Sequence, residues 1–220
     1  MTPIIRFDNV TLSRQQKTLL SGVSFEVYPG QKVLIRGQSG AGKSSLLKTL
    51  MGMYPPSEGS VYFNEQILSR HSVHHIRNCT AYIGQEPVLA ADTVREALLL
   101  PFQFKAHSHN CPTEAQLLIL LRRLHLSADI LDRHVAKISG GEKQRIALAR
   151  GLLLHKTLYL LDEATSALDT ASKQAVFDIF CAPQITLLAV THDADWFQYS
   201  TTIFEMNAGR LTEIPQYGNP

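Results

Sequence analysis

The stretch KVLIRGQSGAGKSSLLKTLM, residues 32–51, decides the fold of this chain. Its centre, Gly37-Gln38-Ser39-Gly40-Ala41-Gly42-Lys43-Ser44, matches the pattern G-x-x-x-x-G-K-[ST]. The apolar run Lys32–Arg36 predicts a buried strand before the pattern, and residues 43–51 predict a helix after it. Glycines let the backbone turn several N–H groups inward, and the helix directs the positive end of its dipole to the same point. The stretch therefore predicts a strand, a phosphate-binding loop and a helix.

The side chains of this loop predict separate contacts to a nucleoside triphosphate. Lys43 is expected to contact the β- and γ-phosphates, and the Ser44 hydroxyl is expected to bind Mg²⁺. A purely structural glycine-rich turn is the alternative, but chance agreement with the pattern is about one in a hundred at average composition. The predicted phosphate contacts are Gly37, Ser39, Gly40, Ala41, Gly42, Lys43, Ser44 and Ser45.

A second apolar strand, residues 157–161, ends in two adjacent acids, Asp162 and Glu163. The carboxyl ends of parallel strands are where such sheets bind their ligands. Asp162 is predicted to hold the Mg²⁺ ion through a water molecule, and Glu163 to polarise the attacking water as general base. In isolation, two solvated acids at a turn would be the better interpretation. Downstream of a phosphate loop it is the weaker one.

Composition and charge exclude several other classes of protein. With 220 residues, 45% of them hydrophobic and 18% charged, the chain is close to globular averages, which argues against disorder. Its net charge of +2 gives no electrostatic reason to expect nucleic acid as a partner. No apolar run approaches the roughly 20 residues of a transmembrane helix, and the N-terminus lacks a signal-peptide pattern. Three widely spaced cysteines favour reduced thiols. We therefore expect a cytosolic protein without nucleic-acid binding.

Strands and helices alternate along the rest of the chain. In its second half this alternation predicts parallel strands joined by right-handed crossovers, and residues 86–156 are predicted to be mainly helical. Residues 202–206 and 211–214 are predicted as edge strands around Gly209. The first third is predicted to contain separate short strands at residues 4–7, 10–13, 23–27 and 60–63.

Further motifs narrow the class of protein to which this chain can belong. Gln85 follows the predicted strand Thr80–Ile83, residues 138–145 read ISGGEKQR, Ser-Ala-Leu-Asp ends at Asp169, and His192 follows an apolar run. In this order, over essentially the whole chain, the motifs resemble the ATP-binding-cassette (ABC) ATPases, the nucleotide-binding subunits of ABC transporters. The amino-acid sequence at residues 92–95 and 100–103 is most similar to that of the FetA-type ATPases of bacterial FetAB metal exporters.

The resemblance implies an α/β fold of the P-loop NTPase type. It has a parallel core sheet, an N-terminal antiparallel β subdomain and an inserted helical subdomain. We expect a single ABC ATPase domain over residues 1–220. Residues 1–85 and 157–220 would form the nucleotide-binding core with the β subdomain. Residues 86–156 would form the helical subdomain, including the signature helix.

The resemblance also implies an ATP-dependent head-to-tail homodimer. Each ATP would lie between the phosphate loop of one chain and the signature of the other. Ser139, Gly140 and Gly141 would bind the γ-phosphate across this interface, and Asp169 would organise the contact between the chains. The cofactors implied are ATP and Mg²⁺.

The remaining roles that the resemblance implies belong to Gln85, His192 and Arg14. Gln85 would sense Mg²⁺ and the attacking water, and His192 would hold the γ-phosphate and orient Glu163. Arg14 stands where the family usually has an aromatic residue stacked on adenine. A guanidinium plane can also stack on a purine, although a place on a solvated hairpin is an equal alternative for this side chain.

ATP hydrolysis in such a chain would power a separate polytopic membrane permease, with the chain bound at the cytoplasmic face of the inner membrane. Export of a metal, iron in particular, is the narrower hypothesis. The alternative is a soluble ABC ATPase such as an iron–sulfur cluster assembly factor. The histidines at positions 71, 74, 75, 107 and 109 could bind a transition metal. Surface histidines without acidic or thiolate support are more often solvated, so the predicted site excludes them.

Overall fold

A six-stranded sheet forms the centre of the computed structural model, which describes residues 1–215; the last five residues of the predicted domain lie outside this range. The strands of the chain are β1 (Ile5–Arg14), β2 (Lys17–Val27), β3 (Lys32–Arg36), β4 (Glu58–Phe63), β5 (Gln66–Ile67), β6 (Thr80–Ile83), β7 (Leu158–Asp162), β8 (Thr186–Val190), β9 (Thr202–Asn207) and β10 (Arg210–Ile214). The central sheet has the order β10-β9-β3-β8-β7-β6. All its neighbours pair in parallel except β9 and β10. The predicted parallel core is confirmed.

Both faces of this sheet are covered, which explains why its strands are apolar at successive positions. The helices are α1 (Lys43–Leu50), α2 (Val73–Cys79), α3 (Val94–Leu99), α4 (Glu114–Arg123), α5 (Gly140–Leu153) and α6 (Thr170–Phe180). On β7, Tyr159 and Leu161 belong to the core shared with α3–α6, whereas Leu158 and Leu160 pack towards α1 and a second sheet.

The second sheet is antiparallel, with the order β2-β1-β4-β5, as expected for the N-terminal part of the chain. The prediction of separate strands at residues 4–7 and 10–13 is wrong, because β1 continues through both. Its register shifts between Phe7 and Val10, and Asn9 has a φ of 49°. A bulge of this kind inserts polar residues without ending the strand, so the apolar pattern is interrupted where the strand is not.

The prediction that residues 202–206 form an edge strand is also wrong. β9 lies inside the central sheet, paired in parallel with β3 on one side and antiparallel with β10 on the other. Its partner β3 lies about 170 positions earlier in the chain, with Val33 opposite Thr202. Because a short apolar segment reads the same at an edge and in the interior, the sequence pattern does not distinguish the two positions.

Helices α3, α4 and α5 fall within the segment predicted to be helical, residues 86–156, and the assignment of that segment as a subdomain stays a prediction. Helix α2 is unforeseen because Ile76 is its one buried residue, which leaves no periodic apolar pattern to detect. The segments Ala128–Asp132 and Ala194–Tyr199 are short 3₁₀ helices. Within residues 1–215, no helix combines the length and hydropathy that crossing a bilayer requires.

Candidate active site

The phosphate loop joins the end of β3 to the start of α1 in a shape that requires glycine. Gly42 has a φ of 113°, and a Cβ there would lie 2.4 Å from the Leu19 carbonyl oxygen. At Gly37, with a φ of 152°, a Cβ would lie 2.3 Å from the carbonyl oxygen of Met206. The loop is thus packed against both β2 and β9. Lys43 is buried beneath it, and its Nζ donates to the carbonyl oxygens of Gly37 (2.6 Å) and Gln38 (3.1 Å).

A cavity of about 550 Å³ opens over this loop. Its volume is within the usual range for small-molecule sites. It brings most of the predicted loop residues together with Gln85, Glu163 and His192, which come from three other strand ends. The lining residues are Lys17, Leu19, Gly37, Gln38, Ser39, Gly40, Gly42, Lys43, Ser44, Ser45, Gln85, Glu163 and His192. Sequence reasoning missed Lys17 and Leu19, which β2 contributes.

Asp162, at the end of β7, is buried and bound on both carboxylate oxygens. Ser44 Oγ donates to its Oδ1 at 2.8 Å, and the Tyr82 hydroxyl donates to its Oδ2 at 3.0 Å. Burial, with Asp162 nearby, raises the pKa of Tyr82, so this hydroxyl is protonated at neutral pH. Hydroxyl and carboxylate oxygens are the ligands that Mg²⁺ prefers. The side chains predicted to hold this ion are therefore adjacent and chemically suited to it.

Glu163 projects into the cavity because its backbone takes an unusual conformation. Its φ is 53°, and its N–H donates to the Val190 carbonyl of β8 at 2.9 Å. A left-handed conformation at a residue other than glycine costs about 1–3 kcal/mol. The carboxylate lies between two cationic or titratable groups: Oε1 is 3.6 Å from Lys43 Nζ, and Oε2 is 2.8 Å from His192 Nδ1.

The ISGGEKQR segment forms the N-terminus of α5. Ser139 Oγ accepts from the Glu142 N–H at 3.2 Å, while Glu142 Oε2 accepts from the Ser139 N–H at 2.7 Å, a reciprocal capping box. The Ser139 N–H holds the pKa of Glu142 below its usual range. Among the described residues that line the cavity, none comes from this segment.

Asp169 has a local role that the sequence reasoning missed. It caps α6: Oδ1 accepts from the Ser172 N–H at 2.9 Å, and Oδ2 accepts from the Ser172 hydroxyl at 2.8 Å. These hydrogen bonds lower the pKa of Asp169. Arg145 of α5 donates to the same Ser172 hydroxyl at 3.0 Å. The cap therefore connects α6 to α5, whose N-cap is Ser139, and the role of Asp169 between chains stays a prediction.

Arg14 contacts an aromatic ring of its own chain. Its guanidinium carbon lies 4.0 Å from the centroid of the Tyr54 ring, within the range of a cation–π contact. Arg14 is exposed and is not among the described residues that line the cavity. Its predicted contact with adenine stays a prediction.

The segment after Gln85 is attached to α5 by two side chains that the sequence reasoning missed. Gln144 Nε2 donates to the Gly84 carbonyl at 3.4 Å. Arg150 donates to the carbonyl oxygens of Val88 (2.8 Å) and Leu89 (3.1 Å). Both residues are polar side chains on a mainly buried helix. A polar residue among apolar ones is the sequence signal that could have indicated their role. The backbone on both sides of Gln85 is therefore hydrogen-bonded to side chains of α5.

The histidine-rich stretches do not converge. Within residues 1–215, no group of three or more His, Cys, Asp or Glu side chains is placed to hold a metal ion. His75 instead packs against the ring of Phe63, with 5.6 Å between ring centroids.

A glycine loop that surrounds a buried lysine, together with two adjacent acids at the end of a parallel strand in the same sheet, defines a P-loop nucleoside triphosphatase. Residues 20–166 match the family of ABC transporter ATPase domains. The chain belongs to this family, and it binds ATP and hydrolyses it in a reaction coupled to transport. The predicted family, fold class and ATPase activity are confirmed.

Relatives and solved structures agree with this assignment. The chain is 34% identical over 218 residues to the probable iron export ATP-binding protein FetA of Escherichia coli K12, and the match covers 96% of each chain. It is 33% identical to the ATM1-type heavy metal exporter of Novosphingobium aromaticivorans, of which it spans 36%.

Two solved structures share the fold. One is a bacterial Atm1-family ABC exporter with ATP bound, which has a TM-score of 0.85 and 32% identity over 96% of this chain and 38% of that one. The other is the dimeric ATP-binding cassette MJ0796 with ADP and Pi, which has a TM-score of 0.86. At 24% identity, over 98% of this chain and 100% of that one, it is similar in fold alone.

Replacing Gly42 by alanine should lower the free energy of unfolding by more than about 1 kcal/mol, because the site combines positive φ with a blocked Cβ position. Urea unfolding followed by circular dichroism measures this change. Gly140→Ala is the control: no atom lies within 4 Å of its Cβ position, and its φ is not positive. Equal stability of the Gly42→Ala protein and the unmodified chain would contradict the loop geometry.

Proposed function

We propose that this chain is the ATP-hydrolysing subunit of a transporter that exports a metal ion, iron in particular, through a separate membrane permease. The observation that carries the catalytic part is the position of the Glu163 carboxylate, between Lys43 and His192 in the cavity over the phosphate loop. The export part is supported by the relatives named for iron export and heavy metal export, which match 96% of this chain.

The phosphates of ATP would bind in the loop. Lys43 is close enough to the loop to exchange its two carbonyl contacts for the β- and γ-phosphates, because its ammonium already lies inside the loop. The residues proposed to contact the phosphates are Gly37, Ser39, Gly40, Ala41, Gly42, Lys43, Ser44 and Ser45. Arg14, whose guanidinium carbon lies over the Tyr54 ring, is proposed to stack on adenine.

Glu163 is proposed to accept a proton from the attacking water. A general base must lie within hydrogen-bond reach of that water, and the inward conformation of Glu163 places its carboxylate on the cavity wall. His192, in contact with Oε2, would orient the carboxylate and hold the γ-phosphate. When the phosphates attract Lys43, Oε1 is released to receive the water.

Ser44, Asp162 and Gln85 are proposed to hold the Mg²⁺ ion. Ser44 and Asp162 are already in contact at 2.8 Å, and Gln85 lies on the wall of the same cavity. The ion, when bound, neutralises negative charge on the β- and γ-phosphates. Glu163 directly follows Asp162, so the residues that would hold the ion adjoin the proposed base.

Two copies of the chain are proposed to form the complete site, head to tail. The signature residues Ser139, Gly140 and Gly141 lie outside the cavity of their own chain. A Cβ at Gly140 would meet no atom within 4 Å, so a phosphate can approach the backbone there. Helix N-termini attract anions, and Ser139 is the N-cap residue of α5. Asp169, which caps a helix joined to α5, would organise the contact between chains.

The permease is proposed to dock near the segment that follows Gln85. Val88 and Phe104 are large apolar side chains that remain 71% and 63% exposed, and they line one cavity of about 400 Å³ together with Arg150. Arg150 ties this surface to α5, and hence to the signature. The chain would thus bind to the membrane through its partner, at the cytoplasmic face, with residues 86–156 as the docking subdomain.

Glu163→Gln should retain ATP binding and lose most hydrolysis, because the amide keeps the shape of the side chain but cannot accept the proton. General-base catalysis contributes about 10²–10⁴-fold to rates, so phosphate release should fall by about that factor. Calorimetric titration with ATP measures the retained binding. Glu205→Gln, on the exposed part of β9, is the matched control. A Glu163→Gln protein that hydrolyses ATP at the normal rate rules out Glu163 as the base.

Ser139→Arg should leave ATP binding by the single chain intact and prevent ATP-driven dimerisation. The bulky cation would occupy the place where the partner's γ-phosphate must enter. Light scattering of the Glu163→Gln protein with and without ATP measures dimer formation, and the Ser139→Arg change is added to that background. A normal ATP-induced dimer in the double variant would contradict the head-to-tail arrangement.

Val88→Asp should weaken the complex with the permease without lowering the ATPase activity of the isolated chain. Affinity purification from detergent-solubilised membranes measures the complex as a co-purifying polytopic membrane protein. Ile119→Asp is the control, since Ile119 is 60% exposed and lines a different groove. Proteoliposomes with the complex should move Fe²⁺ when ATP is supplied. Purification with only soluble proteins would contradict the transport role.

A further inference from the structure

Tyr82 lies at the active site but belongs to none of the sequence motifs described above. It lies on β6, the edge strand, and its hydroxyl donates to Asp162 Oδ2 at 3.0 Å. Asp162 is 3% exposed, so water has little access to that oxygen. The contact joins a side chain of the strand that precedes Gln85 to the carboxylate proposed for the Mg²⁺ ion.

We propose that Tyr82 is a positioning residue for the Mg²⁺ site, which holds the Asp162 carboxylate in the orientation that the ion requires. This inference rests on the proposed function, in which Ser44 and Asp162 hold the ion. In this role Tyr82 does not contact ATP or the ion. It acts through Asp162, as outer partners of metal-binding carboxylates commonly do.

The geometry gives the Tyr82 hydroxyl this role because each of the two carboxylate oxygens of Asp162 is hydrogen-bonded to a different side chain. Ser44 Oγ donates to Oδ1 and Tyr82 donates to Oδ2. Rotation of the carboxylate about its Cβ–Cγ bond breaks at least one of these hydrogen bonds. Without Tyr82, Ser44 alone holds the carboxylate, and Ser44 is the side chain that must also bind the ion.

The position of Tyr82 in the sheet also connects the ion site to Gln85. β6 pairs in parallel with β7, with Tyr82 opposite Leu160, two residues before Asp162. Gln85 follows Tyr82 by three residues. Between them, the Cβ position of Gly84 lies at an ordinary van der Waals distance of 3.5 Å from the tyrosine ring. A displacement of the Gln85 segment, which Gln144 and Arg150 attach to α5, therefore reaches the Asp162 carboxylate through one strand.

The test compares Tyr82→Phe with Tyr159→Phe. Phenylalanine keeps the ring and removes the hydroxyl. Tyr159 is buried on the neighbouring strand β7, but it packs against Phe180 on the other face of the sheet and makes no contact with Asp162. Loss of an outer partner typically costs about 10–100-fold in metal affinity. The Mg²⁺ concentration for half-maximal hydrolysis should therefore rise by about 10-fold in Tyr82→Phe and stay unchanged in Tyr159→Phe.

A second measurement separates positioning from general weakening of the fold and needs no hydrolysis. In the Glu163→Gln background, calorimetry gives the ATP affinity with excess Mg²⁺ and with EDTA. Tyr82→Phe should reduce the gain in affinity that Mg²⁺ provides and leave the affinity in EDTA unchanged. Mn²⁺ bound to the same protein with ATP, followed by electron paramagnetic resonance, should show the same loss.

Two outcomes overturn the inference. One is a Mg²⁺ dependence of Tyr82→Phe equal to that of the unmodified chain. The other is an equal shift in Tyr159→Phe, which would show loosening of the sheet instead of a specific contact. Failure of the proposed function is distinct from both, because the unmodified chain would then show no Mg²⁺-dependent ATP binding at all.

Discussion

The structure depends on the register of three parallel strands, β3, β8 and β7. Val190 of β8 is opposite Ile35 of β3 on one side and opposite Asp162 of β7 on the other. The three strands therefore end at the same level, and the chain leaves each of them into the same space. Lys43 follows the first, His192 the second, and Glu163 the third. The contact of the Glu163 carboxylate with the other two side chains, at 3.6 Å and 2.8 Å, is the direct result of this register.

The same register explains why the unusual backbone of Glu163 is tolerated. Its N–H is bound by the last residue of β8, so the pairing of the strands stabilises a conformation that the residue would otherwise avoid. Neighbouring strands also decide where the loop needs glycine. Gly37 and Gly42 lie against carbonyl oxygens of β9 and β2, which leaves no room for a side chain at either position. At Glu163, Gly37 and Gly42, unusual backbone conformation and close approach occur within the site, and the surrounding sheets compensate for them.

Much of this site could be predicted from the sequence, because each of its motifs is local. The loop, the acid pair, Gln85 and His192 follow apolar runs that read as strands, and the cavity brings most of the loop together with Glu163, Gln85 and His192. Tyr82, Lys17, Leu19 and Arg150 were not predicted. They belong to no short motif and reach the site or its neighbourhood through strand pairing or helix packing. The two wrong strand assignments have the same origin: a bulge within β1, and a partner for β9 about 170 residues away.

The sequence by itself determined the family, the class of reaction and the identity of the phosphate loop, because these depend on residue types at short, fixed spacing. Only the tertiary structure decided which groups the motifs contact. It shows that Asp162 is held by two hydroxyls and that Asp169 caps a helix joined to α5. It also places Arg14 on Tyr54. The physical reason is that hydrogen bonds and packing of this kind join residues far apart in the chain. Their partners are set by the register and twist of the sheets, which no local pattern records.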